Sequence, residues 1–210
     1  MKKLNDAKKS VLGNMILRQT MGGLRKEDIP CFDTQDDLEK YIKDKIESYN
    51  PVDGIYDLSF KSCRFGMDTL HNLFLNIPII LKKKIKGLDV SGWDTRNIKD
   101  MCMVFVDLPY LVDIKGMSGW DMKNVINMSG MFLGCRRLKK IDFPELDNKI
   151  PKNMSYMFTG CFEINDIGGL LGYNISNDTW STDNKTLNGL KKCNFRINNG
   201  IIEKSKKIRI

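Results

Sequence analysis

The chain is poor in the residues that build catalytic centres. It has one histidine, His71, and six cysteines with no CxxC pair among them. A lone imidazole inside the apolar string LHNLFLNIPII reads as a structural residue, and no Ser/His/Asp set can be built around it. The cysteine spacing fits no zinc site. No phosphate loop or dinucleotide fingerprint is present, since Gly168-Gly169 with Gly172 lacks the required pattern. Carboxylate pairs such as Asp36-Asp37 fall at a helix start, where they complement the helix dipole. We therefore expect no catalytic residue, no metal and no cofactor.

Long apolar runs are missing too. The stretches around Ile77 to Leu81 and Ile167 to Leu171 are far shorter than the roughly 20 residues that span a bilayer. The opening MKKLNDAKKSVLGNMIL is basic, but its apolar run is broken by Gly13 and Asn14 and ends without a small-residue cleavage site, so it reads as retained. With the cysteine pattern, this predicts reduced thiols and an intracellular or virion-associated protein, with the cell surface disfavoured.

The net charge of +8 is concentrated at the termini: residues 1–26 and 191–210 carry +6 each, leaving the middle at −4. Basic ends attract anionic partners. Candidate contact residues there are Lys2, Lys3, Lys8 and Lys9 at one end and Lys204, Lys206, Lys207 and Arg209 at the other.

The middle repeats. WDTRNIKDMCMVFVDLPYL from Trp93 aligns with WDMKNVINMSGMFLGCRRL from Trp120 at an offset of 27, and KNMSYMFTGCFEI from Lys152 aligns with the second at 26. A fainter first unit places Phe74, Ile77 and Ile80 opposite Phe105, Leu108 and Leu111. Within a unit, Leu88-Asp89-Val90-Ser91 and Ile141-Asp142-Phe143 alternate like short half-buried strands. Met128, Met131, Phe132 and Cys135 then fall at i, i+3, i+4 and i+7, one face of a short helix. The expected fold class is α/β: a short leucine-rich-repeat-like solenoid of strand–turn–helix units.

An open stack of units needs caps. TQDDLEKYIKDKIESY has a helix start at Thr34 and an apolar face through Leu38, Tyr41, Ile42 and Ile46, and Asn198-Asn199-Gly200 between two β-like runs reads as a hairpin turn. The expected organisation is a basic amphipathic segment at 1–23, a helical cap at 24–56, about four repeat units at 57–167 and a β cap with a basic tail at 168–210. Trp93 and Trp120 recur at one repeat position and read as core, as do Cys135 and Cys161. Trp180 stands outside any repeat and is a candidate contact. Asp89, Ser91, Lys115 and Asp142 are the outward candidates on the strand face.

The string WDxxNVxxMSxMFxGCxxL, present as WDMKNVINMSGMFLGCRRL, resembles the BspA-type leucine-rich repeats of bacterial surface proteins and lipoproteins. The likeness runs over residues 88–167 and fades over 57–87, and DDLEKYIKDKIESYNPVDGIYDLS resembles the helical header that precedes such arrays. That resemblance implies an adhesion or interaction protein without enzymatic activity, although no export signal accompanies it here. The first 17 residues are also similar to basic leader helices on virion proteins of some tailed bacteriophages. Three functions stand on these residues: a protein-binding scaffold, such as a structural or decoration component of a virion; a nucleic-acid-associated protein held by its basic termini; and a bacterial surface adhesin.

Overall fold

The computed structural model describes residues 32–60, 63–146, 151, 153–172, 195–198 and 201–204. Helix α1, Gln35–Ser48, starts where Thr34 Oγ1 accepts the amide of Asp37 at 3.2 Å. Asp36 and Asp37 lie in its first turn and Lys45 in its last, matching the helix dipole. It buries Leu38, Tyr41, Ile42 and Ile46.

Four short strands follow as one parallel sheet in the order β1 (Ile55–Asp57), β3 (Gly87–Asp89), β5 (Asp113–Lys115) and β6 (Lys140–Ile141). Their register places Tyr56, Leu88, Ile114 and Ile141 in one buried row. Strands β2 (Cys63–Arg64) and β4 (Trp93–Asp94) form a two-stranded parallel sheet, and β7 (Phe195–Asn198) and β8 (Ile201–Lys204) an antiparallel one.

The expected solenoid of strand–turn–helix units is corrected here. The described residues form a four-stranded parallel sheet with two smaller sheets and few helices, and the segments read as repeat helices are runs of turn. The reason lies in the amides. Met101, Met103, Phe105 and Asp107 donate to carbonyls of Asn127, Ser129, Met131 and Leu133, one repeat away. Met128, Gly130, Phe132 and Gly134 donate in the same way to Asn153, Ser155, Met157 and Thr159. Amides between them, those of Met131, Leu133 and Cys135, bond three residues back. An α-helix would need each of these amides for the carbonyl four residues back.

The backbone angles agree. Met103, Gly130 and Tyr156 share one repeat position, and Asp107, Gly134 and Gly160 share another; all six have positive φ. Left-handed residues at such spacing interrupt a right-handed helix. Consecutive turns still return side chains to the interior every three or four residues, which produces the helix-like apolar spacing.

The core holds ladders of identical side chains. Phe105, Phe132 and Phe158 stack with ring centroids 5.6 Å apart and planes within 7° and 8°. Trp93 and Trp120 stack at 5.7 Å and 11°, and their indole N–H groups donate to the carbonyls of Leu58 and Val90.

One segment departs from the repeat. Gly87 lies 18 residues beyond Thr69, whereas Asp113, Lys140 and Asp166 each lie 13 beyond Asp100, Asn127 and Asn153, their equivalents in the bridge ladders. The five extra residues house helix α2, Ile79–Lys82. The alignment of Ile80 with Leu111 is corrected accordingly: Leu111 is fully buried, while Ile80 is 65% exposed and Leu81 turns inward.

Candidate functional site

The predicted strand-face residues partly converge. The parallel register sets Asp89 beside Lys115, and the pairing of Ile114 with Ile141 makes Asp142 the next in that row. Their carboxylates serve the fold. Asp89 Oδ1 accepts the Ser91 amide at 3.0 Å and its hydroxyl at 2.6 Å, and Asp142 Oδ2 accepts the Ser118 hydroxyl at 2.6 Å. Ser91 is thus spent on the corner, and Lys115 alone of the four is exposed.

The same device recurs at other corners. Asp57, Asp94, Asp100, Asp121, Asn127, Asn153 and Asp166 each accept the amide two residues on. Much of the acidity of the middle is therefore turn chemistry. Asp94 is also gripped by the Arg96 guanidinium, whose hydrogen bonds hold its carboxyl below the usual range. Of the basic termini, Lys204 lies exposed on β8; Lys2, Lys3, Lys8, Lys9, Lys206, Lys207, Arg209 and Trp180 lie outside the described residues.

Among the described residues, a groove of about 560 Å³ lies between α2 and the corners of the next two repeats. Pro78 opens α2, and its carbonyl accepts the Leu81 and Lys82 amides. With Leu81 and Ile85 anchored in the core, the single turn throws Ile79 and Ile80 outward at 57% and 65% exposure. Leu75, Ile77 and Ile79 form the apolar side of the groove, and Asp107, Pro109, Tyr110 and Arg136 face them. The Arg137 guanidinium lies 5.3 Å over the Tyr110 ring and orients it.

Lys82 is unusual in this setting, being a lysine only 5% exposed. Burial pushes its ammonium below the ordinary lysine value, and the Asp107 charge opposes that shift. No hydrogen bond or ion pair takes its ammonium among the described residues, the ammonium nitrogen keeps contact with solvent, and Asp107 acts on it without an ion pair.

Sequence reasoning missed this groove. The available signal was the faintness of the first unit: its extra residues carry Ile79-Ile80 into a position that needs no core side chain. The cysteines, in contrast, sit as apolar ladder residues. Cys135 and Cys161 are buried and donate their thiols to the Phe105 and Phe132 carbonyls at 2.9 and 3.1 Å. None of Cys63, Cys102, Cys135 and Cys161 is in a disulfide.

Burial pushes the Cys135 thiol up to about 12, and burial followed by the Asp57 and Cys63 charges does the same for the Tyr41 hydroxyl. Both folded values exceed the unfolded ones of 9.0 and 10.0. The neutral forms therefore stabilise the fold fully below those values, and that contribution is lost as pH rises towards 12. Urea stability should fall steadily above about pH 9, and Cys135→Ala should flatten the first part of the fall. Alkylation should label half-buried Cys102 in the native state and reach Cys135 and Cys161 only on unfolding. A flat alkaline profile, or prompt native labelling of Cys135, would contradict this packing.

Among the described residues no group of three His, Cys, Asp or Glu could hold a metal ion, and no helix is long and apolar enough to cross a membrane. Comparison with curated proteins and with solved structures gives no match. A family model does match residues 69–199, more than half of the chain and all of the strongly repeated part. The chain therefore belongs to the family described as "Mycoplasma protein of unknown function, DUF285".

Proposed function

We propose that the protein is a non-enzymatic protein-binding module that presents the α2 groove to a partner within a larger assembly, such as a bacteriophage virion. The observation that carries this reading is the exposed pair Ile79 and Ile80, set on an inserted turn beside a concave apolar wall. Clustered exposed apolar side chains beside a groove mark interaction surfaces more often than scattered ones do. The motif WDxxNVxxMSxMFxGCxxL supports the finer placement near BspA-type repeats, and with it a surface-adhesin alternative. The +6 at each terminus supports a second contact through the ends, with protein or with nucleic acid.

The test compares three forms of the full chain in pull-downs from native lysate. One carries Ile79→Asp with Ile80→Asp, one reverses Lys2, Lys3, Lys8 and Lys9, and one reverses Lys204, Lys206, Lys207 and Arg209. All three should melt within about 1 kcal/mol of the parent, because the altered side chains are exposed or terminal. The isoleucine variant is expected to lose the co-purifying protein. Retention of that protein by the isoleucine variant, with loss in the terminal variants, would move the contact to the ends. A steep linear fall of log affinity with log salt, competed by DNA or RNA, would make the partner a nucleic acid.

A further inference from the structure

Lys82 adds charge to a groove that is apolar on one side and polar on the other. Its aliphatic stem is buried, the residue being 5% exposed, while its ammonium keeps contact with solvent. That ammonium has no hydrogen-bond or ion-pair partner among the described residues, so it is open to an acceptor from outside. Lys82 lines the groove together with Lys83 and Arg136, and Asp107 is the one acid in the lining, so the local charge is +2. The apolar surface also continues from Ile79 in the groove wall onto Ile80 outside the cavity, further than a small molecule filling it would need.

Resting on the protein-binding reading above, we propose that the groove recognises an acidic peptide segment of a partner protein, with an aliphatic side chain against Leu75 and Ile79 and a neighbouring carboxylate on Lys82. The carboxylate accepts a charge-assisted hydrogen bond in a partly dry site, where such bonds are strongest. Arg136 adds a second donor at the rim, and Asp107 limits the negative charge the groove tolerates. A nucleic-acid backbone would instead place a row of phosphates against Asp107, and an anionic membrane would need a flat cationic face. The occupant that matches a few cations and one acid beside an apolar side wall is therefore a peptide.

The probe is a fluorescein-labelled peptide of alternating leucine pairs and single glutamates, compared with its glutamine and lysine counterparts by anisotropy on the full chain. Binding is expected for the glutamate peptide alone. Lys82→Met, which fills the same space without charge, should weaken it by about tenfold or more, and Arg136→Gln by about threefold. Lys82→Met should also melt within about 1 kcal/mol of the parent, since it keeps the buried stem and removes an ammonium that has no partner in the fold. A glutamate peptide that binds no better than the glutamine peptide, or binds Lys82→Met equally well, overturns the proposal. Preference for octanoate or phosphatidylserine vesicles over the peptide overturns it too. If the peptides fail while Ile79→Asp with Ile80→Asp still abolishes partner capture, this inference falls and the binding module stands. If that variant keeps its partner, the module reading itself fails.

Discussion

Alanine at Gly92 is expected to destabilise the protein by about 3–5 kcal/mol, enough to unfold a typical domain in part at room temperature. Gly92 has φ of +77°, a region that costs an L side chain about 1–2 kcal/mol by itself. A Cβ at this position would fall directly on the Phe60 carbonyl oxygen, which belongs to backbone and cannot swing aside. That backbone is fixed by the Phe60 amide bonding the Ser91 carbonyl at 2.9 Å, and the Gly92 carbonyl accepts the Cys63 amide at 3.0 Å. The clash therefore strikes the corner that joins the four-stranded sheet to the β2–β4 pair. Gly119→Ala is the control, because a Cβ there meets nothing within 4 Å. Equal urea midpoints for the two variants would show that the corner is not held as described.

Phe132→Ala should lower stability by about 3–5 kcal/mol, the range for deleting a buried aromatic ring. The Phe132 ring is fully buried and sits between Phe105 and Phe158 at 5.6 Å on both sides. Its loss removes two stacking contacts and leaves a cavity whose walls belong to three repeats, which limits collapse. His71→Ala provides the comparison: its side chain is exposed and bonds only the neighbouring Thr69 hydroxyl. A Phe132→Ala melt equal to that of His71→Ala would place the ring outside the core.

The sequence made the interior legible and the backbone only partly so. Offsets of 26 and 27 predict which phenylalanines, tryptophans and cysteines become neighbours, because identical residues at one offset stack when repeats pair in register. The α1 start was readable from Thr34, since a capping hydroxyl acts within three residues. The helices of the repeats were misread because apolar spacing reports where side chains point and says nothing of where amides bond. Gly130 and Gly134 were the available warning: two glycines four apart suit left-handed turns better than a helix. The α2 groove was hidden for a different reason. It is made by residues that break the repeat, and alignment discards those.

The five-residue insertion also separates what is fixed in this architecture from what is free to vary. Thr69 pairs with Asp100, and Gly87 with Asp113, on either side of it, so both ladders resume their register as though nothing had been added. Length at that corner is thus invisible to the sheet. The corner can be redrawn while the ladders keep their sequence, so the surface offered to a partner and the framework that carries it are open to independent change.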